Sequence, residues 1–238
     1  MPVADAGPGW RPRGVLLDFY GTLVEADAPI LRRICERVAR AAEADDELVH
    51  AHWSSRFVEL WDASWGRAFR TVREIVRLSL ADTIHRFAAG LDPAEAAAEL
   101  HAYWRRPAIC PETRAVLAHC PVPACIVSDV DEADLWAAMD HLGLSFDHVV
   151  TSEGCRAYKP RGEMFAEALR RLGLPAREVL HVGDSFRRDV GGAVAAGIPA
   201  LWLNRLGARE ELPAGRVHEA PDLTALPGFF RGSAPVCQ

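Results

Sequence analysis

Five short apolar runs, separated by helical segments, constrain the fold of this chain more than any other feature. They are residues 14–19, 124–128, 148–151, 179–182 and 199–203. Segments with helical periodicity lie near 132–142, 163–172 and 187–196. Continuous apolar runs of strand length are typical of a parallel sheet that helices cover on both faces. We therefore predict an α/β fold with a Rossmann-like parallel sheet of five or more strands.

The gap between the first and second runs predicts an inserted unit. About a hundred residues separate the two runs, whereas a βαβ crossover needs little more than a dozen. Four segments in this gap have apolar faces at helical spacing: 29–44, 48–65, 67–87 and 93–104. We predict an all-helical cap over residues 25–107, inserted into an α/β core of residues 14–24 and 108–230. Residues 1–13 are predicted to be a disordered tail, and residues 231–238 a second tail.

Charge and composition exclude several classes of partner. The 27 Lys+Arg and 33 Asp+Glu residues give a formal charge of −6, and the absence of a basic block argues against nucleic acid. No apolar run approaches the ~20 residues of a membrane span, and no secretion signal is recognisable. The six cysteines form no zinc-type cluster. We expect a cytoplasmic protein that binds neither nucleic acid nor membrane, with monomer and homodimer both open.

Polar residues follow the ends of four predicted strands, which is where open parallel sheets bind ligands. They are Asp18 with Thr22, Ser128, Lys159, and Asp184 with Asp189. Lys159 is the one lysine of the sequence, and arginine does not replace lysine where a compact ammonium is needed. We expect these side chains to converge at one edge of the sheet.

Converging carboxylates need a cation among them. Asp18, Asp184 and Asp189 would otherwise repel one another, and oxygen ligands combined with phosphate oxygens suit Mg²⁺. Phosphoryl oxygens would be bound by Thr22, Ser128 and Lys159. Asp18 is then the nucleophile, since carboxylates serve as nucleophiles in enzymes that form an aspartyl-phosphate. The residues predict phosphoryl transfer to Asp18 and then to water.

The motifs resemble those of the haloacid dehalogenase (HAD) superfamily. Its four motifs are matched in order by Asp18-x-x-Gly21-Thr22-Leu23, Ser128, Lys159-Pro160 and Gly183-Asp184-Ser185-x-x-x-Asp189. The helical insert resembles the subclass I cap of the superfamily, and the resemblance covers roughly residues 14–205. It implies that Mg²⁺ is held by Asp18, the main-chain carbonyl of Tyr20 and Asp184, with Asp189 supporting the metal or Lys159.

Tyr20 departs from the phosphatase pattern of that superfamily. HAD phosphatases carry a second aspartate two residues after the nucleophile, and loss of such a general acid costs ~10²–10⁴ in rate. Haloacid dehalogenases carry tyrosine there, because halide leaves without a proton, and they use no metal. A metal-free site with three aspartates and one lysine would repel a haloacid, whereas phosphate with Mg²⁺ balances those charges. We therefore expect a Mg²⁺-dependent phosphatase, with a 2-haloacid dehalogenase and a non-catalytic binding protein as alternatives.

Substrate specificity is expected to depend on residues at the cap and the site edge. Arg56 is a candidate clamp for a phosphate or a sugar-nucleotide. The other candidate substrate-binding residues are Tyr20, Ser128 and Lys159. The opening motif and the aromatic, Arg-rich cap resemble HAD proteins of aminosugar and 3-amino-5-hydroxybenzoate (ansamycin antibiotic) biosynthesis. This resemblance implies a small organic phosphate, such as a sugar phosphate or a nucleotide-linked sugar, as substrate.

Overall fold

A computed structural model describes residues 10–213 and 216–230, and these residues contain a parallel six-stranded sheet. The strands are β1 (Gly14–Leu17), β2 (Ala124–Ser128), β3 (His148–Thr151), β4 (Val179–Gly183), β5 (Ala200–Leu203) and β6 (Val217–Ala220). Their order in the sheet is β3-β2-β1-β4-β5-β6, and every pair is parallel. The predicted α/β fold is thereby confirmed.

Both faces of the sheet are buried, which explains why the strands read as continuous apolar runs. Successive side chains of a strand point to opposite faces. On β1, Leu16 belongs to a core cluster that includes Phe165. Val15 and Leu17 belong to a second cluster on the other face, which continues into the inserted helices.

The sixth strand, β6, was not predicted by an apolar run in the sequence. β6 pairs with β5 at the edge of the sheet, and its middle residues His218 and Glu219 are exposed. Short edge strands with polar side chains are common because they discourage pairing with other chains. Such a strand lacks the apolar pattern from which the five others were predicted.

Four of the α-helices lie within residues 25–107, where the cap is predicted, and a fifth follows before β2. The α-helices of the described residues are α1 (Ala28–Ala42), α2 (Asp46–Ala63), α3 (Val72–Arg86), α4 (Pro93–Arg105), α5 (Thr113–Ala118), α6 (Glu132–Leu142), α7 (Ser152–Cys155), α8 (Gly162–Leu172) and α9 (Gly191–Ala195). Short 3₁₀ helices cover Gly66–Ala68, Ala176–Glu178 and Leu223–Phe229. Within the described part of the chain, no helix has the length and apolar character needed to cross a membrane.

Two helices differ from the sequence pattern at their starts. α3 begins at Val72 rather than near residue 67, because Thr71 caps it in a capping box with Glu74. The segment predicted as a helix over 187–196 starts instead with a π-helical turn, Phe186–Val190, followed by the short α9. Single π-helical turns are often found at functional sites.

The chain contacts the core from Trp10 onward, although residues 1–13 are predicted to be a tail. The Trp10 indole donates to the carbonyl of Arg177 at 2.9 Å. The main-chain N–H of Arg13 donates to the carbonyl of Glu178 at 2.7 Å. These bonds hold residues 10–13 beside the start of β4. Residues 1–9 and 231–238, the rest of the predicted tails, lie outside the described residues.

The inserted helices are tied to the core through the start of α3. The Asp131 carboxylate accepts the main-chain N–H groups of Val72 at 2.7 Å and Arg73 at 3.1 Å. The Arg73 guanidinium also forms a two-bond fork with Asp134, at 2.6 and 2.7 Å. A carboxylate satisfies the free N–H groups at a helix start and complements its dipole. The core loop after β2 thereby fixes the position of α3 over the sheet.

Candidate active site

The residues predicted from strand ends lie at one edge of the sheet. Asp18 directly follows β1, Ser128 is the last residue of β2, and Asp184 directly follows β4. These three strands are neighbours in the sheet, so their ends meet. Lys159 reaches the same point from the loop beyond β3 and α7.

The Lys159 ammonium lies at the centre of the site. Nζ donates to Asp18 Oδ1 at 2.7 Å, to Asp189 Oδ1 at 2.6 Å and to the carbonyl of Val127 at 3.0 Å. The side chain is 1% exposed, and all three ammonium hydrogens have acceptors. Burial alone would lower the pKa of Lys159, but the charges of Asp18 and Asp189 raise it above its ordinary value. Lys159 is therefore a fixed positive charge.

Asp189 is the most extensively bonded carboxylate of the site. Besides Lys159, it contacts His181 Nε2 at 3.1 Å and accepts the main-chain N–H of Ser185 at 2.9 Å. Burial opposes its ionisation, but Lys159 and His181 hold the pKa of Asp189 below its ordinary value. The sequence favours a satisfied core histidine at 181. The ring is fully buried, and its Nδ1 has no hydrogen-bond partner among the described residues.

Asp18, the predicted nucleophile, is held at both carboxylate oxygens. Lys159 donates to Oδ1, and the Thr22 hydroxyl donates to Oδ2 at 3.0 Å. Burial raises the pKa of Asp18, and the Lys159 charge opposes that rise. Two donors fix the orientation of the carboxylate, which is what a nucleophile that must meet one substrate atom requires.

Asp184 completes a cluster of three carboxylates. Asp18, Asp184 and Asp189 each present an oxygen within 4.8 Å of the others. Gly21 gives Asp184 its space, because a Cβ at this position would lie 2.3 Å from Asp184 Oδ2. Burial and the neighbouring charges of Asp18 and Asp189 raise the pKa of Asp184 to about 7.

Tyr20 lies at the boundary between the site and the inserted helices. Its ring packs edge-on against Phe19 with centroids 5.2 Å apart, and its hydroxyl donates to the carbonyl of Trp104 in α4. Burial raises the pKa of Tyr20 above its ordinary value. The phenol therefore stays protonated, and its hydrogen is used in the hydrogen bond to the carbonyl of Trp104.

Arg56 is the one predicted site residue that the structure does not bring to the cluster. It lies on α2 and forms ion pairs with Glu59 on the same helix and with Asp82 on α3. The charge of Arg56 is therefore paired with carboxylates of the inserted helices. The helical periodicity of this segment shows only that Arg56 lies on α2, and the partner on α3 depends on how the two helices pack.

Two charged residues of the site were missed in the sequence. Asp129 accepts the main-chain N–H of Lys159 at 2.9 Å, and burial raises its pKa to about 6 against the opposing charges of Lys159 and Arg188. Arg188 lies on the π-helical turn beside Asp189, with its guanidinium over the ring of Trp61 in α2. Asp129 follows Ser128 and Arg188 precedes Asp189 in the sequence. Both could have been found as the charged neighbours of motif residues.

The fold and the site, an aspartate at a strand end with a lysine among neighbouring carboxylates, are those of a class of hydrolases. The chain belongs to the haloacid dehalogenase-like hydrolases, because the model of that family matches residues 12–197. The resemblance of the four sequence motifs to the HAD superfamily is thereby confirmed.

Comparison with individual proteins separates two groups of relatives. An (S)-2-haloacid dehalogenase of Pseudomonas putida is 26% identical over 217 residues, 88% of this chain and 94% of that protein. The structure of L-2-haloacid dehalogenase from Xanthobacter autotrophicus aligns with a TM-score of 0.73 at 25% identity, covering 94% of this chain and 100% of that one. A glyceraldehyde 3-phosphate phosphatase of Methanothermobacter thermautotrophicus is 39% identical over only 71 residues, 29% of this chain and 31% of that protein. The sequence likeness over most of both chains is to dehalogenases, whereas the match to this phosphatase is partial.

The predicted Mg²⁺-dependent phosphatase is therefore wrong, and so are Mg²⁺ as cofactor and a phosphorylated substrate. The implied link to aminosugar and ansamycin biosynthesis is not supported either. The error has a physical cause in the charge balance. Lys159 pairs with both Asp18 and Asp189, and Arg188 adds a second cation whose charge acts on Asp184. The sequence argument counted one cation at this cluster, so it overestimated how strongly a metal-free site would repel a haloacid.

Proposed function

We propose that this chain is a hydrolytic dehalogenase that converts a small 2-halo acid and water into a 2-hydroxy acid and halide. The observation that carries the proposal is Tyr20, whose hydroxyl donates to Trp104 and whose pKa is raised by burial. The position two residues after Asp18 thus offers no acid to the group that Asp18 displaces in the first step. A halide leaves without a proton. The likeness to (S)-2-haloacid dehalogenases over most of both chains supports the same function.

In the first step, Asp18 acts as a nucleophile towards carbon. One carboxylate oxygen forms a bond to C2 of the substrate, and the carbon–halogen bond breaks with its electron pair on the halide. The product is an ester between Asp18 and the acid. Lys159 and Thr22 hold the attacking carboxylate. Attack from the side opposite the halogen inverts C2, so an (S)-2-halo acid gives an (R)-2-hydroxy acid.

In the second step, water opens the ester. Water adds to the carboxyl carbon of Asp18, and the acyl C–O bond breaks, so the hydroxy acid leaves with an oxygen that came from Asp18. Lys159 Nζ donates to this carboxyl group and would stabilise the oxyanion that forms. Asp184 has an oxygen within 4.8 Å of one of Asp18, and its carboxylate accepts no hydrogen bond from any residue that the structure describes. We assign to Asp184 the acceptance of one water proton and its transfer to the oxygen of the departing hydroxy acid, so that Asp18 is regenerated as a carboxylate and the second water proton is released.

Halide release is the direct test of this function. With (S)-2-chloropropionate, we expect chloride and (R)-lactate in equal amounts, and much slower release from the (R) enantiomer. Addition of EDTA should leave the rate unchanged, because Lys159 supplies the positive charge at Asp18. Chloride can be followed with an ion-selective electrode, and lactate by chiral chromatography. Absence of chloride release from a panel of 2-chloro and 2-bromo acids, with the protein folded, would contradict the proposal.

A further inference from the structure

The guanidinium of Arg188 lies between Trp61 of α2 and Ser185 at the edge of the sheet. Arg188 follows β4 on the π-helical turn and immediately precedes Asp189. Its Nε donates to the hydroxyl of Ser185 at 3.3 Å, and its guanidinium carbon lies 5.4 Å from the centroid of the Trp61 ring. The side chain remains exposed to solvent. A hydrogen bond and a cation–π contact thus fix the charged group while leaving it accessible.

The two residues that fix Arg188 also contact the catalytic cluster. Ser185 donates its main-chain N–H to Asp189 at 2.9 Å. The Trp61 indole donates to the carbonyl of Lys159 at 3.5 Å. Arg188 is therefore placed beside the cluster from two directions, from the core by Ser185 and from α2 by Trp61. Burial raises the pKa of Asp184, and the positive charge of Arg188 acts in the opposite direction.

Arg188 has donors to spare. Its two terminal nitrogens have no hydrogen-bond acceptor, and the residue has no ion pair within 4.0 Å, among the residues described by the structure. Arg56, Arg73, Arg105 and Arg187, by contrast, each form an ion pair with an acidic side chain. A planar fork of free N–H groups is suited to binding a carboxylate through two parallel bonds.

The proposed substrate brings a carboxylate into a site that already holds Asp18 and Asp189. Lys159 cannot bind this group, because its three hydrogens are taken by Asp18, Asp189 and Val127. Arg56 is paired within the inserted helices. We propose that Arg188 is the specificity-determining residue that binds the carboxylate of the 2-halo acid, with its terminal nitrogens as donors. This inference rests on the proposed function and extends it to the recognition of the acid group.

The test compares R188Q with the matched control R187Q. Arg187 is the neighbouring residue on the same turn, and it forms an exposed ion pair with Asp62. For 2-chloropropionate, R188Q should raise KM roughly 10- to 100-fold, as expected for loss of hydrogen bonds to a charged group, with kcat changed much less. For the neutral 2-chloropropionamide, KM should stay within about twofold of wild type. R188K should be intermediate, because lysine keeps the charge but lacks the fork.

The preference for acid over amide is the deciding quantity. An unchanged ratio of kcat/KM for acid and amide in R188Q, in a protein that melts at the wild-type temperature, would overturn the assignment while halide release itself still stands. Calorimetric titration with propionate tests binding without turnover. If wild type releases no halide yet binds propionate, and R188Q alone loses that binding, the carboxylate site stands and the dehalogenase function falls. If R187Q loses propionate binding as strongly as R188Q, the assignment to Arg188 is wrong.

Discussion

Asp18→Asn should abolish halide release while leaving the protein folded. An amide nitrogen or oxygen is a poor nucleophile, so the ester between Asp18 and the substrate cannot form. Removing a residue on which a covalent step depends costs up to ~10⁶ in rate, and we expect a loss of at least about 10³. Asparagine fits the site, because its oxygen can accept from Lys159 and its nitrogen can donate to the Thr22 hydroxyl at the positions of the two carboxylate oxygens.

Chloride release under saturating 2-chloropropionate measures this loss. The melting temperature of Asp18→Asn should stay close to that of wild type, since Asp189 still pairs with Lys159. A folded variant that keeps more than about a tenth of the wild-type rate would show that another group attacks the substrate.

Lys159→Met should remove activity and also destabilise the fold strongly. Methionine has nearly the length of lysine, so packing changes little, but Asp18 and Asp189 lose the ammonium that lies 2.7 and 2.6 Å from them. Breaking a buried ion pair by removing one partner typically costs ~3–5 kcal/mol, because a charge remains buried without compensation. We expect a loss of this size in the free energy of unfolding at pH 7, measured by urea denaturation. Activity should fall below detection, since the Asp18 carboxylate loses its orientation.

The destabilisation caused by Lys159→Met should depend on pH in a defined direction. In wild type, the pKa of Asp189 is lowered from 3.8, so its contribution is present above that value and is lost as the pH falls below it. The pKa of Lys159 is raised from 10.5, so its contribution is complete below 10.5. The wild-type contribution of the pair is therefore complete between these values, so a change in the difference within this range comes from the variant. The difference should shrink as the pH falls from 7 towards 4, because the unpaired carboxylates of the variant take up protons. A difference that stays constant over this range would mean that lost packing, not charge, is the cause.

Much of the fold was predictable because the strands are buried on both faces. Five apolar runs match β1 to β5, and the long gap after β1 contains the four predicted helices. β6 could not be found this way, since an edge strand with exposed His218 and Glu219 has no apolar run. The π-helical turn at Phe186–Val190 was also missed. Such a turn contains one residue more than an α-helical turn, and the apolar periodicity of a short segment does not reveal that difference.

The site was predictable in its residue types but not in its charge balance. Strand ends brought Asp18, Lys159 and Asp184 together at one edge, as their positions after apolar runs imply. The sequence does not give distances, so it did not show that Lys159 contacts Asp18 and Asp189 at once. It also did not show that Arg188 lies against Trp61 and Ser185 beside the carboxylates, whereas Arg56 pairs within the inserted helices. Those facts depend on tertiary packing, whereas the Mg²⁺-dependent phosphatase was overturned by the likeness to dehalogenases.

Isotope labelling in H₂¹⁸O tests the central claim, that Asp18 forms an ester with the substrate carbon and water then opens it. With enzyme in excess over (S)-2-chloropropionate, the reaction completes a single turnover, and the protein is then digested for mass spectrometry. We predict unlabelled (R)-lactate and ¹⁸O in the peptide that contains Asp18, because the product takes its oxygen from the carboxylate. Labelled lactate together with an unlabelled Asp18 peptide would contradict this mechanism, since water would then have attacked the substrate directly.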